Sequence, residues 1–211
     1  MFKKYHLDLT KLNSAIDNKQ LPSIVDIKVE TPVMDSKLSL YSYLIEASRV
    51  RDRYIEACGF SIITKELIDE MATLLKDCRI LEIGCGNGYL ALSFKQRYPD
   101  VTYETLDNDK WEWVHRHITL DHTANYGEFD FSKYGAVIVS WPDLDCEDIG
   151  EALASLPTGC LLLLCGESRG GCTGTHEMFD VLATQFYHIE TLTNSLGFLN
   201  IHDTWELYRK H

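Results

Sequence analysis

Arg79-Ile80-Leu81-Glu82-Ile83-Gly84-Cys85-Gly86-Asn87-Gly88-Tyr89-Leu90-Ala91 is the stretch from which the rest of the chain is read. Ile80, Leu81 and Ile83 form a short apolar run, the pattern of a buried strand. Gly84, Gly86 and Gly88 follow at alternate positions, where a Cβ would obstruct a sharp turn and a close backbone approach to a ligand. A helix is expected from Tyr89 to Tyr98, with Leu90, Ala91, Leu92 and Phe94 packing back on the sheet. Its free N–H groups and partial positive charge suit an anionic group or acceptor atoms.

A dinucleotide fingerprint needs a third small residue where this chain has Tyr89, and the third glycine comes one residue early. The string Glu82-x-Gly84-x-Gly86-x-Gly88 resembles instead the first motif of the class I S-adenosylmethionine-dependent methyltransferases. The resemblance implies that Glu82, Gly84, Cys85, Gly86, Asn87 and Gly88 wrap the methionine part of that cofactor. Val101 to Leu106 reads as the next strand and ends at Asp107, 19 residues after Gly88 (107 − 88). A carboxylate at about 20 residues accepts ribose hydroxyls. Asp107 or Asp109 is also expected to cap a helix beginning near Lys110. Asn108 and Trp111 are then placed near the adenine. A third strand is expected around His122 to Tyr126, with Asp121, Glu128 and Asp130 competing for the adenine amino group.

Tyr134 to Ser140 is a further buried strand and runs into Ser140-Trp141-Pro142-Asp143. Ligands of open α/β sheets sit at the carboxyl ends of strands, so Ser140 and Trp141 are expected to face the cofactor. The family's fourth motif falls here. Members that methylate adenine or glutamine carry N/D-P-P-Y/F, from which Ser-Trp-Pro-Asp departs. It is slightly similar to the Phe-Pro-Asp of tRNA guanine-N7 methyltransferases. A helix is expected over Asp145 to Leu153 and a strand over Cys160 to Cys165. The glycine-dense segment Gly166 to His176 follows, in which Arg169 is a candidate for an anionic group and Glu167, Ser168 or His176 for orienting a nucleophile. The alternative is a loop leading to a helix capped by Thr173 or Thr175. That helix, Glu177 to Gln185, precedes two strands, Phe186 to Thr193 and Ile201 to Arg209. The implied fold class is α/β: a three-layer, doubly wound, mostly parallel seven-stranded sheet ending in an antiparallel hairpin, with an N-terminal helical extension.

Before the glycine motif, Leu7 to Ile16 reads as a helix and Ile24 to Glu30, bracketed by Pro22 and Pro32, as a strand or extended arm. Residues 36–57 form a helix ending in a basic stripe of Arg49, Arg51 and Arg53, and Thr64 caps a second helix. The resemblance implies that Arg53, Tyr54 or Thr64 approaches the cofactor carboxylate. The alternative is a solvated helix face. Residues 1–58 are expected to be an N-terminal arm and helix, and residues 59–211 the cofactor-binding domain.

The net charge of −12 weighs against broad binding to a nucleic-acid backbone. No apolar run approaches ~20 residues, so no membrane span is expected. Met1-Phe2-Lys3-Lys4 has no apolar stretch after it, unlike a secretory signal. The seven cysteines form no C-x-x-C pair, which suggests neither a zinc site nor a redox motif and fits a reducing cytoplasm. The expected function is methyl transfer from S-adenosylmethionine to a small-molecule acceptor by in-line displacement. His176 and Asp143, with His122 behind them, are the candidate bases, and no metal is expected. The alternatives are aminopropyl transfer to a polyamine, tRNA methylation, and a non-catalytic partner protein that retains the cofactor site. An NAD enzyme is disfavoured by Tyr89.

Overall fold

The computed structural model describes residues 5–29 and 37–211. The chain opens with strand β1 (His6–Leu7) and helix α1 (Leu9–Asp17), whose first turn is closed by Asp8 accepting from the Lys11 N–H at 3.0 Å. Helix α2 (Ile24–Ile27) and strand β2 (Lys28–Val29) follow, and β2 pairs antiparallel with β1. The extended arm expected over Ile24 to Glu30 is therefore a helical turn and a two-residue strand, with Glu30 outside the described residues. The cause is tertiary: the Glu66 carboxylate accepts from the Ile24 N–H at 2.9 Å and from the Ser23 hydroxyl, satisfying the start of the turn. Helix α3 (Lys37–Cys58) and helix α4 (Lys65–Leu74) lead to the sheet, with Thr64 capping α4 by accepting from the Leu67 N–H.

The sheet elements are β3 (Ile80–Ile83), α5 (Tyr89–Arg97), β4 (Tyr103–Asp107), β5 (His122–Thr123), β6 (Ala136–Ser140), α6 (Asp148–Ala154), β7 (Leu161–Gly166), α7 (His176–Gln185), β8 (Phe186–Thr191) and β9 (Thr204–Lys210). The strand order is β5-β4-β3-β6-β7-β9-β8. β5, β4, β3, β6 and β7 run parallel, and β9 lies antiparallel between β7 and β8. This is the seven-stranded, doubly wound arrangement expected from the sequence. Two expectations fail locally: no helix follows Asp109, and α6 starts at Asp148 rather than Asp145.

Both faces of the sheet are covered, which is why its strands read as unbroken apolar runs. Side chains alternate along each strand. Ile80, Ile138, Leu163 and Leu207 face one apolar cluster, which also holds Leu12, Ile27, Tyr54, Leu67 and Phe94. Leu81, Ile83, Val137, Val139 and Leu162 face another, closed by Ile149, Leu153, Met178 and Leu182 of α6 and α7. Each fully buried Leu or Ile contributes roughly 1.5–3 kcal/mol relative to exposure. Leu9 and Leu12 of α1 and Ile27 of α2 share the first cluster with the sheet.

Gly88 begins α5 at φ +77°, and a Cβ there would collide with the Ile118 side chain. A Gly88→Ala variant therefore carries a left-handed backbone penalty of about 1–2 kcal/mol and an overpacking penalty of about 1–3 kcal/mol. Thermal unfolding should show a Tm several degrees below the parent. Adding Ile118→Ala should relieve the packing part alone, so the double variant loses less than the sum of the singles. Strict additivity would remove the Ile118–Gly88 contact as the cause.

Candidate functional site

Chain order reverses between β3 and β6, the position at which open α/β sheets carry their ligands. A cleft of about 740 Å³ opens there. Its walls come from Gly84 to Asn87 after β3, Asp107 and Asn108 after β4, Ser140 to Asp143 after β6, and Cys58 to Ser61 at the end of α3.

The glycine turn is held by its neighbour strand. The Gly84 N–H donates to the Leu106 carbonyl at 2.8 Å, extending the ladder between β3 and β4. Asp107 then accepts from the Gly86 N–H through Oδ2 at 2.9 Å and from the Asp109 N–H through Oδ1 at 2.8 Å. Each carboxylate oxygen retains lone pairs for further donors. Gly84 and Gly86 sit at φ +67° and +56°, conformations an L side chain rarely adopts. Asn87 is 3% exposed; its Oδ1 accepts from the Tyr89 N–H, while its Nδ2 has no partner among the described residues. An unsatisfied buried donor is costly, and this one belongs to a residue that lines the cleft.

In place of the expected helix, residues 108–121 fold back over the turn. The His117 N–H donates to the Asn87 carbonyl at 2.7 Å, and its ring Nε2 lies 2.7 Å from the Ala57 carbonyl. The Arg116 Nε donates to the Gly86 carbonyl at 3.1 Å. Trp113 lies where a Cβ on Gly86 would meet its ring at 2.9 Å. Trp113 and Trp111 thereby become wall residues.

Glu82 is fully enclosed at the floor of the cleft and accepts from the Tyr103 hydroxyl at 3.0 Å. Burial, with a smaller contribution from the Asp107 charge, pushes its carboxyl up to about 8 against the Tyr103 hydrogen bond. Burial likewise pushes the Cys58 thiol up to about 12 and raises that of Cys85, so both line the cleft as protonated thiols rather than nucleophiles. Trp141 stands at φ +52°, a strained conformation for a bulky residue, kept where the surroundings determine it. Its N–H donates to the Cys165 carbonyl at 2.8 Å and its Nε1 to Asp203 at 3.2 Å. Its ring stacks on Phe60 at 5.4 Å between centroids.

Of the residues singled out from the sequence, Glu82, Gly84, Cys85, Gly86, Asn87, Asp107, Asn108, Trp111, Ser140, Trp141 and Asp143 line this cleft. Gly88 lies behind the turn against Ile118. His176 is exposed at the start of α7, away from the cleft lining, with its carbonyl taken by Arg169; Thr175 caps that helix. His122 is spent on Glu104, at 2.7 Å. Arg53 pairs with Asp17 and Asn13, Tyr54 accepts from the Ile63 N–H, and Thr64 is a cap, so none of the three reaches the cleft. Asp121 is bound by Thr105, and neither Glu128 nor Asp130 lines the cleft. Arg169 is paired with Asp180. Phe60, Ser61, Trp113, Tyr126 and Cys146 also line the cleft, outside the motifs of the sequence. The Trp111-Glu112-Trp113 pair of rings was the available signal for Trp113.

A family model described as the methyltransferase small domain matches residues 60–125, less than half the chain but all of the turn, β3, β4 and β5. The solved structure of PhzM, described as a pyocyanin biosynthetic protein, matches with a TM-score of 0.50 at 16% identity, covering 81% of this chain and 61% of that one. The chain has the fold of the class I S-adenosylmethionine-dependent methyltransferases. S-adenosylmethionine is the cofactor of that family. Human N-acetylserotonin methyltransferase matches at 13% identity and TM-score 0.48, covering 95% of this chain and 66% of that one. CalS10 of Micromonospora echinaspora, an amino pentose methyltransferase, matches at 14% and 0.45, covering 86% and 100%. The chain spans less than two thirds of the length of PhzM and of the human enzyme. No curated protein sequence matches.

The residues fit the methyltransferase cofactor. Asp107 retains acceptor capacity beside the turn, and the unsatisfied Asn87 amide lacks an acceptor. The raised Glu82 carboxyl gives a test of this floor. A group held protonated in the fold contributes stability that is full below its unfolded pKa and is lost as pH rises through the folded value. Unfolding free energy should therefore fall between about pH 5 and 8, by a few kcal/mol at most. Glu82→Gln should flatten that slope in denaturant titrations, whereas an unchanged slope would assign it elsewhere.

Proposed function

We propose that the chain is an S-adenosylmethionine-dependent methyltransferase acting on a small molecule. The observation that carries this reading is the convergence on one cleft of the Asp107 carboxylate, the left-handed glycine turn and the unpartnered Asn87 amide. Asp107 would accept the ribose hydroxyls and hold the turn in shape at the same time. Asn87 would take the methionine part, on a turn whose Gly86 is held in place by Asp107, Arg116 and Trp113. Residues 59–211 would form the binding domain, with residues 1–58 packed against it.

The cofactor supplies an electrophilic methyl group, which the acceptor takes by in-line displacement. The chain contributes mainly alignment and the exclusion of water. Ser140, Trp141 and Asp143 flank the acceptor side, and Asp143 is the remaining candidate base. A cleft of about 740 Å³ is of the size that small ligands occupy. The net charge of −12 disfavours a nucleic-acid acceptor.

Calorimetric titration tests this directly. S-adenosylmethionine and S-adenosylhomocysteine should bind, with decarboxylated S-adenosylmethionine and NAD weak. Asp107→Ala should lose at least tenfold in affinity, because it removes the acceptor and frees the Gly86 N–H. NAD binding without either cofactor form would overturn the reading, and preference for the decarboxylated form would redirect it to aminopropyl transfer.

A further inference from the structure

We infer that the acceptor subsite takes an organic cation, the ammonium group of a small amine. The inference rests on the methyltransferase reading and names the substrate class of the same cleft. A row of rings crosses the cleft, from Trp141 stacked on Phe60 to Trp113 packed on the glycine turn. Phe60 meets Trp113 edge-on at 6.4 Å, and Trp113 meets Trp111 at 6.2 Å. Aromatic faces carry negative potential and attract cations. The neighbouring ring already does so: the Arg51 guanidinium lies 5.9 Å from the Trp141 centroid.

The same cleft is acidic. Asp143, Asp145, Glu147 and Asp148 all line the cleft, and none makes an ion pair among the described residues. Lys110 is the one lysine or arginine in the described lining. Glu147 and Asp148 suit the start of α6; Asp143 and Asp145 precede that helix, and Asp143 uses one oxygen to accept from the Asp145 N–H at 3.1 Å. An anionic acceptor would meet uncompensated carboxylates. A neutral ring would stack well and leave those charges unpaired. An ammonium group satisfies both the rings and the acids. The unpartnered Asn87 amide marks the other end of this cleft as built for a ligand.

In the transfer, the amine first releases its ammonium proton to a carboxylate of this cleft or to water. The freed nitrogen lone pair forms the new N–C bond as the methyl–sulfur bond breaks. Sulfur keeps the bonding pair, leaving S-adenosylhomocysteine and a methylated ammonium ion.

The test uses the full chain saturated with S-adenosylhomocysteine, which is uncharged at sulfur. Choline is an unreactive cationic probe, and 3,3-dimethylbutan-1-ol is its neutral isostere. Calorimetry and quenching of tryptophan fluorescence should show choline at least tenfold tighter than the isostere. The exposed pair Asp145→Asn with Glu147→Gln should weaken choline several-fold and leave S-adenosylhomocysteine binding unchanged. Equal affinities for the two probes, no choline binding to the loaded protein, or choline binding indifferent to the double variant would each overturn the inference. Failure of S-adenosylhomocysteine itself to bind would instead remove the methyltransferase reading and this inference with it.

Discussion

The carboxylate of Asp107 is the constraint on which the cleft depends. It accepts from Gly86 on one oxygen and from Asp109 on the other, so a single side chain joins the turn after β3 to the chain leaving β4. Asp107 is 5% exposed, and burying it is tolerable because both oxygens are satisfied by N–H donors. The glycine turn cannot choose its own path, since glycine is at ease on either side of φ zero. The path is chosen by the Gly84–Leu106 ladder bond and then by Asp107. The turn and the acidic residue 19 positions on are therefore one structural unit (107 − 88), and this explains why the spacing is informative.

That unit was readable because its causes are local. Ile80 to Ile83 and Ala136 to Val139 are buried on both faces, and burial on both faces writes an apolar run into the sequence. The segment after Asp109 was not readable. Trp111, Val114 and Ile118 recur at helical spacing, yet Trp111 and Val114 end 60% and 84% exposed. Aromatic, β-branched and histidine residues are weak helix formers. The long-range bonds from Arg116 and His117 to the Gly86, Asn87 and Ala57 carbonyls outweighed what a short helix would have gained. No periodicity records bonds of that kind. Ile24 to Val29 misled for the same reason, because Glu66, about forty residues away, supplies the cap that makes the first turn helical.

The candidate histidine bases, unlike Asp143, lie outside the cleft for a different reason. A histidine in sequence carries no sign of which neighbour will take it. His122 is held by Glu104, whose own carboxyl is drawn down to about 2 by hydrogen bonds from Tyr134, His122 and Arg79 that outweigh its partial burial. His176 is set by helix geometry, one residue past the Thr175 cap, and faces solvent. Phe60, Trp113, Asp145 and Glu147 carry no individual sign of a wall role for a related reason. Asp145 and Glu147 look like ordinary helix-start acids, yet they line one cleft with Trp111 and Trp113.

The departure at Ser140-Trp141-Pro142-Asp143 has a physical consequence for how an acceptor is held. Trp141 stands in the left-handed region, its ring committed to Phe60 on a stacked face and to Asp203 through Nε1. The next carbonyl, that of Pro142, already accepts from the Gly174 N–H at 2.8 Å. One of its lone pairs is thus taken by the loop after β7, and the Trp141 N–H is taken by Cys165. The backbone at this strand end is largely consumed by tying β6 to β7, so on the methyltransferase reading selectivity for an acceptor would fall to side chains. The side chains lining the cleft include rings and carboxylates that make no ion pair among the described residues, surroundings that would suit a positive, weakly hydrated group.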